Sequence, residues 1–260
     1  MAIPGVKAIA NRGYSMYESR LRKEILSEGV PKHVAVIMDG NRRYAKELGV
    51  EVNEGHAQGK KKLEDVMDWC MDIGVKILTV FAFSAENFAR PEEEVNYIME
   101  MLESTFFSFA EDDRIHNNEV ALRVIGDRSL IPENLLHAVE HAEKKTENYS
   151  RFHMNVAIAY GGRQEIISAV KKIAEEVKSD KVKINDIDEK FVSDHMYTYD
   201  LPDPDLILRT SGEVRVSNFL LWQLAYSEFY FSDVYWPGFR YIDFLRAIRA
   251  YQQRTRRFGH

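Results

Sequence analysis

A single cysteine, Cys70, is all that the 260 residues contain, so no internal disulfide can brace this chain. Cys70 falls within a helical pattern, which reads as a core residue in a reducing compartment. No stretch approaches the ~20 apolar residues that cross a bilayer, and the N-terminus carries no apolar signal region. The expectation is a soluble, cytoplasmic protein whose contact with a membrane is peripheral. Positive charge is not in excess either, with 35 Lys and Arg against 41 Asp and Glu and a net charge of −6. That balance excludes a broad nucleic-acid-binding surface and makes any phosphate site local. Repeats, low-complexity segments and linkers are missing too, and 45% hydrophobic residues suffice for one sizeable core. A single domain over 1–260 is expected, with 1–30 as an N-terminal helical cap and 240–260 as a C-terminal helix and tail.

What the chain does have is a regular alternation of apolar runs and helical patterns. Val34 to Met38 are uninterruptedly apolar, which predicts a strand over 33–39 buried on both faces. Further strands are expected over 75–83, 121–126, 154–160, 206–209 and 229–231. Helices are expected over 14–27, 59–73, 132–148, 164–177, 188–196 and 242–257, with 1–13 irregular and 178–187 a polar loop. Pro91 and the acidic Glu92, Glu93 and Glu94 suit the start of a long helix running to about His116. The alternation implies an α/β fold, an open, mostly parallel six-stranded sheet flanked by helices.

In such a sheet ligands sit outside the carboxyl ends of the strands. Three of these ends are polar. The first, Asp39-Gly40-Asn41-Arg42-Arg43, joins a carboxylate suited to Mg²⁺ or a proton with a glycine that lets backbone approach a phosphate and with donors around it. The second, Phe83-Ser84-Ala85-Glu86-Asn87-Phe88-Ala89-Arg90, is by itself equally well a helix-capping loop before Pro91. The third, Arg209 to Ser217, places two arginines about Gly212, and arginine matches phosphate oxygens in bidentate fashion. Gly55-His56, opening a helix, offers another anion contact. Ile98, Met99, Met101, Leu102, Phe106, Phe107 and Phe109 form an apolar stripe that periodicity reads as core. Arg246, Arg249, Arg254, Arg256 and Arg257 read as a solvated basic face or a patch for anionic lipid.

Singly these segments are ordinary; in this order and spacing, from His33 to Gly259, they resemble the cis-prenyltransferases, the family of undecaprenyl and dehydrodolichyl diphosphate synthases. The resemblance also runs through Ile125-Gly126-Asp127 and Ser217-Asn218-Phe219-Leu220-Leu221-Trp222-Gln223. It departs at Val52, where many members have arginine. Val214, Arg42 and Tyr44 stand where bacterial members have His, Gly and Trp, which points to the archaeal and eukaryotic branch. No Asp-Asp-x-x-Asp box of the all-trans enzymes occurs, since Glu111-Asp112-Asp113 is followed by Arg114 and Ile115.

The resemblance implies a Mg²⁺-dependent condensation of an allylic prenyl diphosphate with isopentenyl diphosphate, giving a Z-polyprenyl diphosphate used as a lipid carrier of glycans. Asp39 would coordinate Mg²⁺, with Glu228 as a second carboxylate near the metal. Gly40, Asn41, Arg42, Arg43 and His56 would hold the allylic diphosphate, and Arg209, Arg215 and Ser217 that of isopentenyl diphosphate. Ser84 and Asn87 would orient substrate and assist proton removal, with Asn87 catalytic beside Asp39, while Phe88 and Arg90 sit on a loop over the site. Tyr44, Ala85, Glu86 and Val216 complete the substrate contacts. The Arg257-Phe258-Gly259 segment would bring Gly259 to a neighbouring subunit's site in a homodimer. The long helix from Glu92 would line an apolar product tunnel. Alternatives within the resemblance are an unusual acceptor or branched condensation, and a non-catalytic partner subunit; outside it stands a phosphohydrolase using the same aspartate.

Overall fold

All strands of the sheet run the same way. The protein is a computed structural model that describes residues 4–254, with side chains from Met16 onward. Its strands are β1 (His33–Ile37), β2 (Ile77–Ser84), β3 (Val120–Ile125), β4 (Phe152–Tyr160), β5 (Leu206–Arg209) and β6 (Glu228–Phe231), in the order β3-β4-β2-β1-β5-β6. Every neighbouring pair is parallel. This is why β1 and β5 are buried along their whole length and read as unbroken apolar runs. The sheet is thus wholly parallel, a sharper form of the expected one.

One face carries Val34, Val36, Leu78, Val80, Met154, Leu206 and Leu208 into the main core, together with residues of α3 (Val52–Ile73), α4 (Glu92–Ala110), α6 (Glu133–Thr146) and α9 (Tyr241–Gln252). Cys70 lies in this core, as expected, and burial pushes its thiol far up. The other face gathers Ala35, Ile37, Ile207, Tyr160 and Phe219 beside α7 (Gly162–Lys178).

Helix boundaries depart from expectation in informative ways. The first helix, α1 (Pro4–Glu28), starts well before residue 14 and docks on α9, where the Gln252 amide donates to the carbonyls of Ile25 and Gly29. The helix expected to reach His116 stops at Ala110, because Asp112 caps a separate α5 (Asp113–Asn117) by accepting from the Arg114 N–H. A helix missed by pattern, α2 (Asn41–Leu48), occupies the run read as an anion-binding turn. Its signal was present: Tyr44 to Leu48 are compatible with a helix, and Gly49 closes it at φ 68°. The last helix ends at Gln252 rather than 257. A short α8 (Glu189–Ser193) follows the polar loop.

Candidate active site

The carboxyl ends of β1, β2 and β5 are neighbours in the sheet, so the three polar clusters meet. The decisive element is Asp39, two residues past β1. Its backbone N–H is accepted by the Thr210 hydroxyl (3.0 Å), which donates in turn to the Asp39 carbonyl (2.6 Å), and the Trp236 N–H also bonds that carbonyl (3.0 Å). With its backbone fixed, the Asp39 carboxylate is held between two arginines: Oδ1 accepts from Arg43 Nη2 (2.9 Å) and Oδ2 from Arg209 Nη2 (2.7 Å). Burial pushes the Asp39 carboxyl up, but the bonds and charges of Arg209 and Arg43 outweigh it and hold the group below the usual aspartate value.

Gly40 cannot be another residue here. Its φ is +110°, and a β-carbon would meet Tyr235 Cδ1 at 2.9 Å and Ser211 Cβ at 3.1 Å. It starts α2, which directs Arg42 and Arg43 toward the cleft. Arg43 donates to Asp39, to Ser211 Oγ (2.7 Å) and to Glu213 Oε1 (2.9 Å), and stands over the Tyr235 ring. Arg209, 3% exposed, donates through Nη1 to Ser217 Oγ (2.8 Å) and to the Arg215 carbonyl. Its Nε finds no partner, and neither does Asn41 Oδ1; both belong to residues lining one cavity. Buried polar atoms are rarely left so unless water or a ligand completes them, as at Gln223 Oε1 outside the cavity.

The cavity has a volume of about 820 Å³. Asp39, Gly40, Asn41, Arg42, Arg43, His56, Arg90, Arg209 and Ser217 line it, and so do the apolar Leu63 of α3 and Ile98, Met101 and Leu102 of α4. Ser84, Glu86 and Asn87 line it as well. Ser84 and Asn87 also form a reciprocal cap on the 3-10 turn Ala85–Ala89, in which Asn87 Oδ1 accepts from the Ser84 N–H (3.1 Å). Capping loop and site wall are therefore one structure. Glu86 Oε1 accepts from the amide of Asn218 (3.0 Å), a residue given no role in sequence, which also bonds Gln164. His56, buried on α3, has burial pushing it below the usual imidazole value, against the opposing pull of Glu94.

A model of the putative undecaprenyl diphosphate synthase family matches residues 37–259. The chain belongs to that family. Two archaeal relatives are named tritrans,polycis-undecaprenyl-diphosphate synthase (geranylgeranyl-diphosphate specific). That of Methanopyrus kandleri is 53% identical over 246 residues, covering 95% of this chain and 91% of its own. That of Thermoplasma volcanium is 51% identical over 244 residues, covering 94% and 95%. The crystal structure of lavandulyl diphosphate synthase from Lavandula x intermedia in complex with dimethylallyl diphosphate matches with a TM-score of 0.84 and 37% identity, covering 89% of this chain and 99% of that one. This synthase is thus a prenyltransferase of the polyprenyl diphosphate synthase class, and its relatives at about 50% identity are archaeal, in keeping with the archaeal and eukaryotic branch to which Arg42, Tyr44 and Val214 point.

Several expected site residues in this synthase stand elsewhere. Glu228 is the clearest correction: it opens β6 opposite Leu206, level with Val34 at the amino end of the strands, and pairs with Arg254 at 2.7 Å. Five residues of strand separate that level from Asp39, about 16 Å, so within one chain Glu228 is no metal partner of Asp39. Sequence alone could not show this, because the same Glu would serve at either end of a strand of unknown register. Phe88 turns onto Phe83 (ring centroids 4.9 Å) and packs against the core. Arg215 is exposed and tied to Glu213, so its backbone carbonyl, through Arg209, is what reaches the site. Tyr44 approaches Gly238, and neither Tyr44 nor Val216 lines the cavity. Gly259 lies outside the described residues. Of the apolar stripe, Ile98, Met101 and Leu102 line the cavity with Thr105, while Phe106 and Phe109 are core and Phe107 rests against His137 and His141.

Among the described residues no three His, Cys, Asp or Glu side chains could jointly enclose a metal ion. Asp39 lines the cavity between Arg43 and Arg209. That set fits Mg²⁺, which takes one or two carboxylates and fills its remaining positions with water and substrate phosphate oxygens.

Proposed function

We propose that the protein condenses an allylic prenyl diphosphate with isopentenyl diphosphate to extend a chain with cis double bonds. The observation that carries this reading is the mixed lining of one cavity, where Arg42, Arg43, Arg90 and Arg209 share the wall with Leu63, Ile98, Met101 and Leu102. That combination suits a molecule with a diphosphate head and a hydrocarbon tail. The relatives named for geranylgeranyl diphosphate specificity support that compound as the primer.

In the reaction the C–O bond of the allylic diphosphate breaks, a C–C bond forms to isopentenyl diphosphate, and a proton leaves the latter. Arg42, Arg43, His56 and the backbone at Gly40 and Asn41 hold the departing diphosphate and stabilise its growing charge. Asp39 is the residue that would hold Mg²⁺, whose contribution when bound is Lewis-acid polarisation of the breaking bond. Arg209 and Ser217 orient the isopentenyl diphosphate, since an arginine fork matches phosphate oxygens. Ser84 and Asn87, locked in their mutual cap, orient the nucleophile and assist removal of its proton. The product serves as a lipid carrier of glycans, the active form is a homodimer completed by the segment ending at Gly259, and the enzyme works in the cytoplasm with peripheral membrane contact. No helix among the described residues is long and apolar enough to cross a membrane.

The test incubates labelled isopentenyl diphosphate and Mg²⁺ with allylic primers of several lengths, geranylgeranyl diphosphate among them, and resolves product size and geometry. Extension with new Z double bonds is the expected result. No extension of any primer would overturn the reading.

A further inference from the structure

Glu92, Glu93 and Glu94 open α4, yet only Glu94 is turned inward, 8% exposed. Its Oε1 accepts from His56 Nε2 (3.1 Å) and from Arg90 Nη1 (3.1 Å), and its Oε2 lies 3.8 Å from Arg42 Nε. These partners come from three separate elements: Arg42 from α2, His56 from α3, and Arg90 from the residue closing the turn after β2. All three line the cavity, whereas Glu94 sits behind them.

We propose that Glu94 is the positioning residue of the diphosphate site, drawing Arg42, His56 and Arg90 into one preassembled surface. The inference rests on the reading of the cavity as a prenyl diphosphate site. Arg42 and Arg90, on separately anchored elements, repel each other, and a shared buried carboxylate offsets that repulsion and holds the His56 imidazole before any ligand arrives. Each arginine spends one nitrogen on Glu94 and keeps its others for the ligand. Ordering is then completed on folding rather than drawn from binding energy. A carboxylate this close to an anion also opposes its charge, so removing it has two competing consequences. Geometry and charge are separable, because a glutamine still accepts from His56 and Arg90 while carrying no charge.

The experiment titrates inorganic pyrophosphate calorimetrically into the full-length protein and into Glu94→Ala and Glu94→Gln, followed by steady-state kinetics. Glu94→Ala is expected to weaken pyrophosphate binding about 10-fold or more, the scale of a lost charge-assisted network, and to raise the KM of the allylic substrate but not of isopentenyl diphosphate. Glu94→Gln is expected to stay within about threefold of wild type, since the hydrogen-bonded geometry survives. Glu92→Ala and Glu93→Ala, on the same turn but exposed, should leave binding unchanged. Should the alanine variant not fold, Glu94→Asp, one methylene too short to reach all three partners, is expected to show the same loss. Unchanged binding in Glu94→Ala, tighter binding in both variants, or a parallel rise of both KM values would each overturn the proposal. A wild type that binds pyrophosphate yet extends no primer would refute the condensation reading while leaving the Glu94 comparison readable.

Discussion

Two carboxylates flank the central strands, each 25% exposed at its side chain and each paired with arginine at 2.7 Å: Asp39 with Arg209, and Glu228 with Arg254. By chemistry alone they are equivalent. Their surroundings are not. Asp39 stands past the carboxyl end of β1 with a second arginine, a buried guanidinium, a left-handed glycine and a cavity beside it, whereas Glu228 begins β6 at the other end against a 47%-exposed arginine. In a parallel sheet the strand ends differ in kind, because the carboxyl ends release the chain into loops that can surround a ligand. Position in the register, not residue type, separates the metal-binding candidate from a surface ion pair.

The sharpest way to break this contrast is to remove Asp39. Asp39→Ala should lower kcat/KM by about 10²-fold or more, the usual scale for a group acting in the transition state. It should also cost about 3 kcal/mol of stability, because Arg209, 3% exposed, is left buried with part of its charge uncompensated. Turnover is read by isopentenyl incorporation and stability by denaturant melts. Near-full activity would strip Asp39 of its role, and unchanged stability would mean that Arg209 is satisfied without it.

How much of this was legible beforehand follows the same division. The alternation of apolar runs and helical patterns carried the sheet, and all six strands fall within two residues of expectation at each end, because a buried parallel strand must be apolar throughout. Asp39, Arg209, Ser84 and Asn87 were legible because they terminate such runs. Glu94, Thr210 and Asn218 were not: each acts by bonding residues distant in sequence, and nothing local distinguishes Glu94 from Glu92 or Glu93 until the helix rotates one of the three inward. Glu228 shows the converse, since a glutamate at the head of a short apolar run looks the same wherever the register places it, here away from Asp39 of its own chain.

The amino end of the sheet has its own pH dependence, which sharpens the comparison. His33, 1% exposed at the start of β1, donates from Nδ1 to the Pro202 carbonyl (2.7 Å) and accepts at Nε2 from the Thr79 hydroxyl (2.8 Å), which accepts in turn from the Asn155 amide. Burial outweighs the Pro202 carbonyl and the Asp205 charge and pushes the imidazole down to about 4. The unfolded chain takes up this proton near the ordinary value of 6.5, so as pH falls from there the unfolded state is favoured until the folded histidine also protonates, near 4. The loss amounts to about 3 kcal/mol in all. Asp39 has the opposite placement: its depressed carboxyl contributes stability above the ordinary aspartate range and loses it only as pH falls through its lower folded value. Melting temperatures across pH 7 to 4 should therefore fall less steeply in His33→Gln than in wild type. Parallel slopes would show that other groups set the acid response.

The smallest effect is expected where the carboxylate sits at the wrong end for a metal. Glu228→Ala removes a pair whose arginine is 47% exposed, and such pairs contribute about 0–1 kcal/mol. Activity at saturating Mg²⁺ should stay within about threefold of wild type, and the Mg²⁺ concentration giving half-maximal turnover should not move, because no charge near the reacting groups has changed. That second measurement decides the matter. A residue that bound the metal would shift the Mg²⁺ requirement by an order of magnitude or more on removal, since Mg²⁺ has few protein ligands to lose. If Glu228→Ala does shift it, the carboxylate must reach a metal that its own chain places far away, and the neighbouring subunit of a homodimer would have to supply the site.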